Sequence, residues 1–346
     1  MKAGLATFFK PSEERLRYIK QLGVDDVILW GRTFRPSLKS SDGLGEKDLV
    51  LSVEELLEVQ DYLGGHGLRL HAIENLPFHF YDKIVFGKPE RKKQMEYYQR
   101  SIANMGKAGI PYLGYNWIPF GVKRTSFSHP LRGGAQGTAY DDAEMDKQTL
   151  HADRAYGEEE FWDYYAYFIQ HAIPAAEAAG VKMSLHPNDP PVEKLGGVPY
   201  LFRNMAAYRR GYDLYPSAHN GAILCLGNFE AMGEDIPQVI AELGRQGRLH
   251  YVHFQSTSGT MPRFHEEFID TGDHDPWTIL TALKKAGFGG VMIPGHVPQI
   301  EGDIEWSVGE PSAYALGGHM GGHRSRAYAI GMLRGLIHAL NQQDKQ

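Results

Sequence analysis

The stretch SLHPNDPP, residues 184–191, decides the fold that we predict for this chain. The apolar run 181–185 is typical of a buried strand, and the prolines that follow force the backbone out of regular structure. A histidine at the exit of a buried strand points its ring into the cavity above the sheet. His186 is therefore the first candidate for a functional side chain.

In two later stretches an apolar run again leads to a residue of a type that binds metal ions. Residues 222–224 lead to Cys225, and residues 249–252 lead to His253. A lone cysteine is usually a small buried hydrophobe, and a lone histidine near a core is usually structural. Three ligand types at the ends of consecutive strands instead favour one shared metal site. Imidazole and thiolate together suit Zn²⁺, Fe²⁺ or a similar first-row ion.

Eight short apolar segments alternate with eight predicted helices over residues 1–346, without a compositional break. Regular alternation favours a parallel sheet. Eight units closing on themselves predict an α/β fold of one domain, a (β/α)8 or TIM barrel, with long βα loops after strands four and eight. The alternative is an open doubly wound sheet, which normally carries a glycine-rich phosphate fingerprint after strand one. Residues 8–11 (FFKP) are not such a fingerprint.

The element boundaries follow from apolar runs, capping residues and glycine or proline stops. The predicted strands are 4–9, 26–30, 69–73, 112–115, 181–185, 222–225, 249–253 and 291–293. The predicted helices are 13–22, 53–63, 90–107, 158–178, 201–208, 236–243, 276–286 and 325–340. Residues 118–157 show weak periodicity, and a loop that long in a compact domain is usually functional.

The active site of a TIM barrel lies at the carboxyl ends of its strands. Polar residues at or near those ends are His71, Glu74, Asn75, Asn116, His186, Asn188, Cys225, His253 and His296. Asp189 is either a turn residue or a carboxylate that orients His186. The charged segment 263–275 is mostly solvated loop and capping material, which leaves open whether one member lines the pocket. His319 and His323 flank glycines and belong either to a mobile lid or to the ligand set.

Composition narrows the class of partner. The net charge of −6 and the lack of a basic run argue against nucleic acid, and no segment is long enough to span a bilayer. Cys225 is the single cysteine, so an internal disulfide is excluded, and the N-terminus lacks the apolar core of a signal peptide. We expect a cytoplasmic protein that acts on a small molecule; a homo-oligomer is left open.

Motifs spread over nearly the whole chain resemble the mannonate dehydratase family. They are IENLP (73–77), KAGI (107–110), YNWIP (115–119), RT (124–125), LHPNDPP (185–191), NG (220–221) before Cys225, VHF (252–254) and FHE (264–266). The resemblance implies a TIM barrel of the xylose-isomerase-like type that uses Mn²⁺ or Fe²⁺; the ligand types leave Zn²⁺ open. It also implies removal of water from D-mannonate to give 2-keto-3-deoxy-D-gluconate in hexuronate breakdown.

The same resemblance suggests roles for individual residues. His186, Cys225 and His253 are implied as metal ligands, and His296 and Tyr314 as the acid and base. We expect the remaining candidates to bind substrate, with Trp117 as a wall of the pocket: Glu74, Asn116, Trp117, Arg124 and Asn188.

The chain departs from the family pattern in three places, one of which is the tail around Tyr314 with its different, Gly/His-rich sequence. Near strand eight the family typically reads Arg-Pro-Asp-His-Gly, whose aspartate is a fourth metal ligand, and this chain has Ile293 and Gly295 in place of the arginine and the aspartate. After the histidine of strand seven the family reads Arg-Asn, and this chain has Gln255 and Ser256. The predicted site therefore has three protein ligands, with His296, water or substrate to complete the shell.

These departures keep two further hypotheses open. A sugar or sugar-acid isomerase or epimerase on the same barrel would use the same metal but return the proton instead of expelling hydroxide. A barrel that has lost its chemistry would bind a sugar acid as a sensor.

Overall fold

The computed structural model describes residues 1–7, 11–31, 34–35, 38, 40–303 and 322–343. In chain order, the strands of this part are β1 Lys2–Thr7, β2 Asp26–Trp30, β3 Arg69–Glu74, β4 Tyr112–Tyr115, β5 Ser126–Pro130, β6 Gln136–Asp141, β7 Lys182–Leu185, β8 Lys194–Leu195, β9 Val198–Pro199, β10 Asn220–Cys225, β11 Leu249–His253, β12 Ser256–Ser258, β13 Arg263–Glu267 and β14 Val291–Ile293.

The α-helices of the same part lie mainly between the barrel strands. They are α1 Glu13–Gln21, α2 Glu46–Leu49, α3 Val53–Gly65, α4 Asp82–Val85, α5 Arg91–Lys107, α6 Glu158–Ala179, α7 Met205–Asp213, α8 Leu226–Ala231, α9 Ile236–Arg245, α10 Pro276–Lys285 and α11 His323–Gln343. No helix in the described part of the chain combines the length and the apolar character that crossing a bilayer requires.

Eight parallel strands close into a barrel in the order β1-β14-β11-β10-β7-β4-β3-β2, which confirms the predicted TIM barrel. The barrel interior is filled by a compact group of side chains that includes Ile28, Ile223 and Tyr251. Gly114 on β4 faces this interior, and a Cβ at that position would lie 2.8 Å from the Cγ of Glu74. A larger core packs between the strands and the surrounding helices.

A second sheet, β12-β13-β6-β5, is antiparallel and is formed by segments that follow β4 and β11. We predicted residues 118–157 as a loop, and that prediction is wrong where β5 and β6 lie. These strands are short and carry many polar residues, and β13 pairs with β6 across more than a hundred residues of sequence. Local periodicity therefore gives little sign of them.

Most predicted boundaries agree with the structure, and those of β2, β4, β11 and β14 agree at both ends. The predicted helix 201–208 is wrong by four residues at its start and by five at its end, since the helix spans Met205–Asp213. It starts later because the side chain of Asn204 caps it by accepting a hydrogen bond from the amide of Ala207. Residues 8–9 of the predicted first strand lie outside the described residues.

Candidate metal centre and active site

The three predicted ligand types lie together at the carboxyl end of the barrel. β10 is hydrogen-bonded between β7 and β11, and its Cys225 is level with His253 in the register. His186 is the residue that follows β7. One ligand atom from each of His186, Cys225 and His253 lies within 4.8 Å of the other two. At that spacing, small side-chain rotations bring all three onto a single ion with bonds of about 2.0–2.3 Å.

The environment of His186 prepares its ring for ligation. Its Nδ1 donates a hydrogen bond to the carbonyl of Pro187 at 2.8 Å, so Nε2 is the nitrogen with the available lone pair. Burial, with a smaller contribution from His253, lowers the pKa of His186 to about 4. The ring is therefore neutral near pH 7, which is the form that binds metals.

Glu74 lies behind His253. Nε2 of His253 is 2.9 Å from the Oε2 atom of Glu74, which also accepts a hydrogen bond from the hydroxyl of Tyr251 at 3.0 Å. Burial opposes ionisation of Glu74, but its interaction with His253 lowers its pKa overall. A carboxylate on one ring nitrogen fixes the tautomer and leaves Nδ1 as the nitrogen with a lone pair. In the structure Glu74 contacts His253 and Tyr251, and the prediction that it binds substrate stays a prediction.

Cys225 is fully buried at the end of β10. Burial raises the pKa of its thiol well above the ordinary value. The Sγ atom lies 3.4 Å from the Oε1 atom of Gln255. Gln255 departs from the family pattern and is not among the predicted site residues. A bound cation would supply the positive charge that favours the thiolate.

A second polar cluster is organised by Arg124. The guanidinium makes two hydrogen bonds to Asp189, at 2.5 and 2.9 Å, and a third to the Oε1 atom of Glu266 at 2.7 Å. All three side chains are almost completely buried. Arg124 is thus occupied by protein carboxylates, so the prediction that it binds substrate has no support in this geometry. Asp189 binds Arg124, a role that neither of our two interpretations included.

His296 joins this cluster through its Nδ1 atom, which is hydrogen-bonded to Oε1 of Glu266. Burial opposes ionisation of Glu266, but His296 and Arg124 lower its pKa to about 2. An ionised Glu266 accepts the Nδ1 proton and leaves Nε2 of His296 for proton transfer. The His296 side chain is 20% exposed, so this ring remains accessible to a small molecule.

Glu266 belongs to the charged segment 263–275, for which the sequence leaves open whether one member lines the pocket. The segment is not only loop, because residues Arg263–Glu267 form β13. Side chains alternate along a strand, and Glu266 is buried while His265 and Glu267 are partly exposed. The sequence RFHEE contains one apolar residue and no regular alternation, so the buried position of Glu266 becomes visible only from the pairing of β13 with β6.

The other predicted substrate-binding residues have structural contacts. Trp117 is fully buried, and its ring packs against Tyr165 and Phe168, which is a core position and not a pocket wall. Asn188 is also buried, and its amide group bonds the backbone of Phe202 and of Trp117. These contacts use both ends of the Asn188 side chain, and its role in substrate binding stays a prediction.

Asn116 is partly buried, and its Oδ1 atom accepts a hydrogen bond from the Tyr81 hydroxyl at 3.4 Å. His323 is the first residue of α11, is buried, and uses its carbonyl to accept a hydrogen bond from Tyr18. It is therefore part neither of a lid nor of the ligand cluster. Tyr314 and His319 lie outside the described residues.

Comparisons with known proteins show similarity in both sequence and structure. A family model described as D-mannonate dehydratase (UxuA) matches residues 1–153 and 143–346. Mannonate dehydratase 2 of Halalkalibacterium halodurans is 29% identical over 326 residues, which cover 86% of this chain and 90% of that protein. The mannonate dehydratase of Streptococcus equi subsp. zooepidemicus is 32% identical over 280 residues, which cover 72% and 76%.

Solved structures give the same picture at two levels of similarity. The mannonate dehydratase of Streptococcus suis serotype 2 superposes with a TM-score of 0.85 and 27% identity, over 100% of this chain and 95% of that one. A D-psicose 3-epimerase of Clostridium cellulolyticum H10 matches 97% of this chain with a TM-score of 0.57 and 14% identity. At that identity the epimerase shows a shared barrel and no more.

Proposed function

The chain belongs to the D-mannonate dehydratase family, and from that membership we propose that it is a hydro-lyase that converts D-mannonate to 2-keto-3-deoxy-D-gluconate. The observation that carries the proposal is the convergence of His186, Cys225 and His253 at the carboxyl end of the barrel, beside a histidine that is suited to proton transfer. A cytoplasmic location is part of the proposal and rests on the sequence alone.

The donor set fits a divalent first-row ion. Two neutral imidazoles and one cysteine are ligands that such ions accept, and the hydrogen bonds of His186 and His253 already fix both rings. We propose Mn²⁺ or Fe²⁺, with Zn²⁺ as the third candidate. When bound, the ion supplies Lewis-acid stabilisation of the negative charge that develops on the substrate carboxylate.

The reaction breaks the bond between C2 and its proton and the bond between C3 and its hydroxyl oxygen. The electron pair of the first bond becomes the C2–C3 double bond, the hydroxyl leaves as water, and the resulting enol becomes the ketone. His296 carries one of the two proton transfers through Nε2, because Glu266 holds Nδ1. Tyr314 remains the predicted partner, although it lies outside the described residues.

Arg124 supports this chemistry from a distance. It neutralises Asp189 and Glu266 within the protein, and this pairing keeps Glu266 ionised and aimed at His296. The substrate carboxylate then depends on the metal centre and on other groups for its binding. This assignment follows from the contacts of the guanidinium with two buried carboxylates.

The test is formation of the keto-deoxy acid from D-mannonate by the purified protein with Mn²⁺. We expect His296→Asn to lower kcat by about 10²–10⁴-fold, the usual contribution of general acid–base catalysis. His265→Asn is the matched control, because His265 is a partly exposed histidine next to Glu266 in sequence. If His296→Asn turned over as fast as the wild type, His296 would take no part in the chemistry. If the wild-type protein formed no keto-deoxy acid, the proposed function would be wrong.

The isomerase or epimerase hypothesis is not favoured. The relatives at 27–32% identity are mannonate dehydratases, whereas the sugar epimerases share only the fold. Reaction in D₂O distinguishes the two activities, because an epimerase would introduce deuterium into the sugar acid without loss of water.

A further inference from the structure

Gln255 occupies a position next to the metal centre that the family resemblance does not explain. It lies two residues after His253, is 2% exposed, and has its Oε1 atom 3.4 Å from Sγ of Cys225. Its Nε2 atom is 3.5 Å from Oε1 of Glu266. A carboxylate only accepts hydrogen bonds, so Glu266 fixes the amide with its nitrogen towards the carboxylate and its oxygen towards Cys225.

Two glycines make room for this side chain. A Cβ at Gly227 would lie 2.9 Å from Cγ of Gln255, and a Cβ at Gly295 would lie 2.7 Å from its Oε1 atom. Position 295 is where the family pattern has the aspartate ligand. The carboxamide of Gln255 therefore fills the space that a side chain at position 295 would enter, and the two departures from the pattern are coupled in space.

The distance between sulfur and oxygen also fits two ligands of one ion. An oxygen at about 2.1 Å and a sulfur at about 2.3 Å from a common ion are about 3.1–3.6 Å apart, for angles between the octahedral and tetrahedral values. The observed separation of 3.4 Å lies inside that range. Amide oxygens are also established ligands of hard divalent cations.

Resting on the metal centre of the proposed function, we propose that the carboxamide oxygen of Gln255 is the fourth protein ligand, in place of the missing aspartate at position 295. This exchange replaces an anionic ligand with a neutral one. A divalent ion with two imidazoles, one thiolate and one amide carries a net charge of +1, whereas an aspartate would bring that charge to zero. The centre is thus more electropositive and favours a carboxylate substrate even though Arg124 is occupied.

The experiment titrates metal-free protein with Co²⁺ and follows the absorption spectrum. The thiolate-to-cobalt charge-transfer band reports ligation by Cys225, and the visible bands report coordination number and geometry. We compare the wild type with Gln255→Met, which removes the oxygen at similar volume. The matched control is Gln94→Met, because Gln94 is also buried but binds Asp82 and the backbone of Lys83.

We expect Gln255→Met to keep the charge-transfer band, to change the visible bands and to weaken Co²⁺ binding at least about tenfold, as expected when support of a metal site is lost. Gln94→Met is expected to match the wild type in both spectrum and affinity. Weaker binding with unchanged visible bands would overturn the proposal, since it would show Gln255 acting only through its hydrogen bond to Cys225. Unchanged affinity would overturn it as well.

A second pair of variants tests the spatial coupling directly. Gly295→Asp alone is expected to bind Co²⁺ no better than the wild type, because Gln255 fills the required space. Gly295→Asp combined with Gln255→Ser is expected to bind Co²⁺ more tightly than Gln255→Ser alone. No gain in the double variant would contradict the coupling. If the wild type itself showed no charge-transfer band, Cys225 would not bind the metal. The metal centre and the proposed function that depends on it would then both be wrong.

Discussion

Two polar clusters share the carboxyl end of the barrel, and they differ in how their charge is balanced. In the first, Cys225 sits at a strand end, and burial raises the pKa of its thiol. In the second, Arg124 pairs with two buried carboxylates, and Arg124 and His296 lower the pKa of Glu266 to about 2 despite its burial. The second cluster contains its own cation, whereas the first needs one from outside. The contrast indicates a metal centre next to a self-contained ion-pair network.

The largest expected effect is at Cys225. Cys225→Ser keeps the shape but removes the thiolate, so we expect the rate of dehydration to fall at least about a thousandfold, because Lewis-acid stabilisation supplies several kcal/mol. The stabilisation by saturating Mn²⁺, about 2.7 kcal/mol at one hundred times Kd, should disappear. Thermal unfolding with and without Mn²⁺ measures this stabilisation as a shift in Tm. If the variant retained the full shift, the first cluster would not be the metal centre.

The next effect is on stability and concerns the second cluster. Arg124→Met leaves Asp189 and Glu266 buried without their cation, which should lower the free energy of unfolding by about 3–5 kcal/mol. Arg132→Met is the matched control, because Arg132 makes a similar two-bond contact with Asp270 but is 45% exposed. The control should lose only about 0–1 kcal/mol. Equal losses in urea unfolding would show that the buried network is no more important than a surface pair.

The smallest effect separates a structural histidine from the ligands. His250 lies on the same strand as His253, with Nδ1 at 2.8 Å from the hydroxyl of Ser184, and burial lowers its pKa from 6.5 to about 3. Its folded pKa is depressed, so the unfolded chain binds the extra proton first. The stability that depends on its neutral form is complete above pH 6.5 and is lost as the pH falls towards 3.

Between pH 7 and pH 5 the titration of His250 alone should lower the free energy of unfolding of the wild type by about 2 kcal/mol. His250→Gln should lose less stability than the wild type over that interval by about the same amount, and it should still respond to Mn²⁺. Urea unfolding at the two pH values measures the difference. Parallel losses in both proteins would mean that His250 does not titrate as its burial implies.

The two clusters also differ in how far the sequence predicts them. His186, Cys225 and His253 follow apolar runs in adjacent strands, and strand order alone brings them together, so local pattern is sufficient. Arg124 and Glu266 meet only because β6 pairs with β13 over a long interval of sequence. That pairing leaves no periodic signal in short polar segments, so the sequence did not predict that Arg124 contacts Glu266.

Gln255 shows the same limit at a single residue. In the sequence, Gln255 stands where the family has an arginine, and a glycine stands at position 295. There the two changes look like separate departures. Only the close approach of Gln255 to Gly295 and Cys225 shows that they form one change. Contacts between loops from different strands depend on closure of the barrel, which no local window of sequence contains.

The most direct test of the central claim is anomalous diffraction from crystals of the protein loaded with Mn²⁺. We expect one anomalous peak at the carboxyl end of the barrel, within bonding distance of His186, Cys225 and His253. A structure at full Mn²⁺ loading with no peak between these three side chains would contradict it.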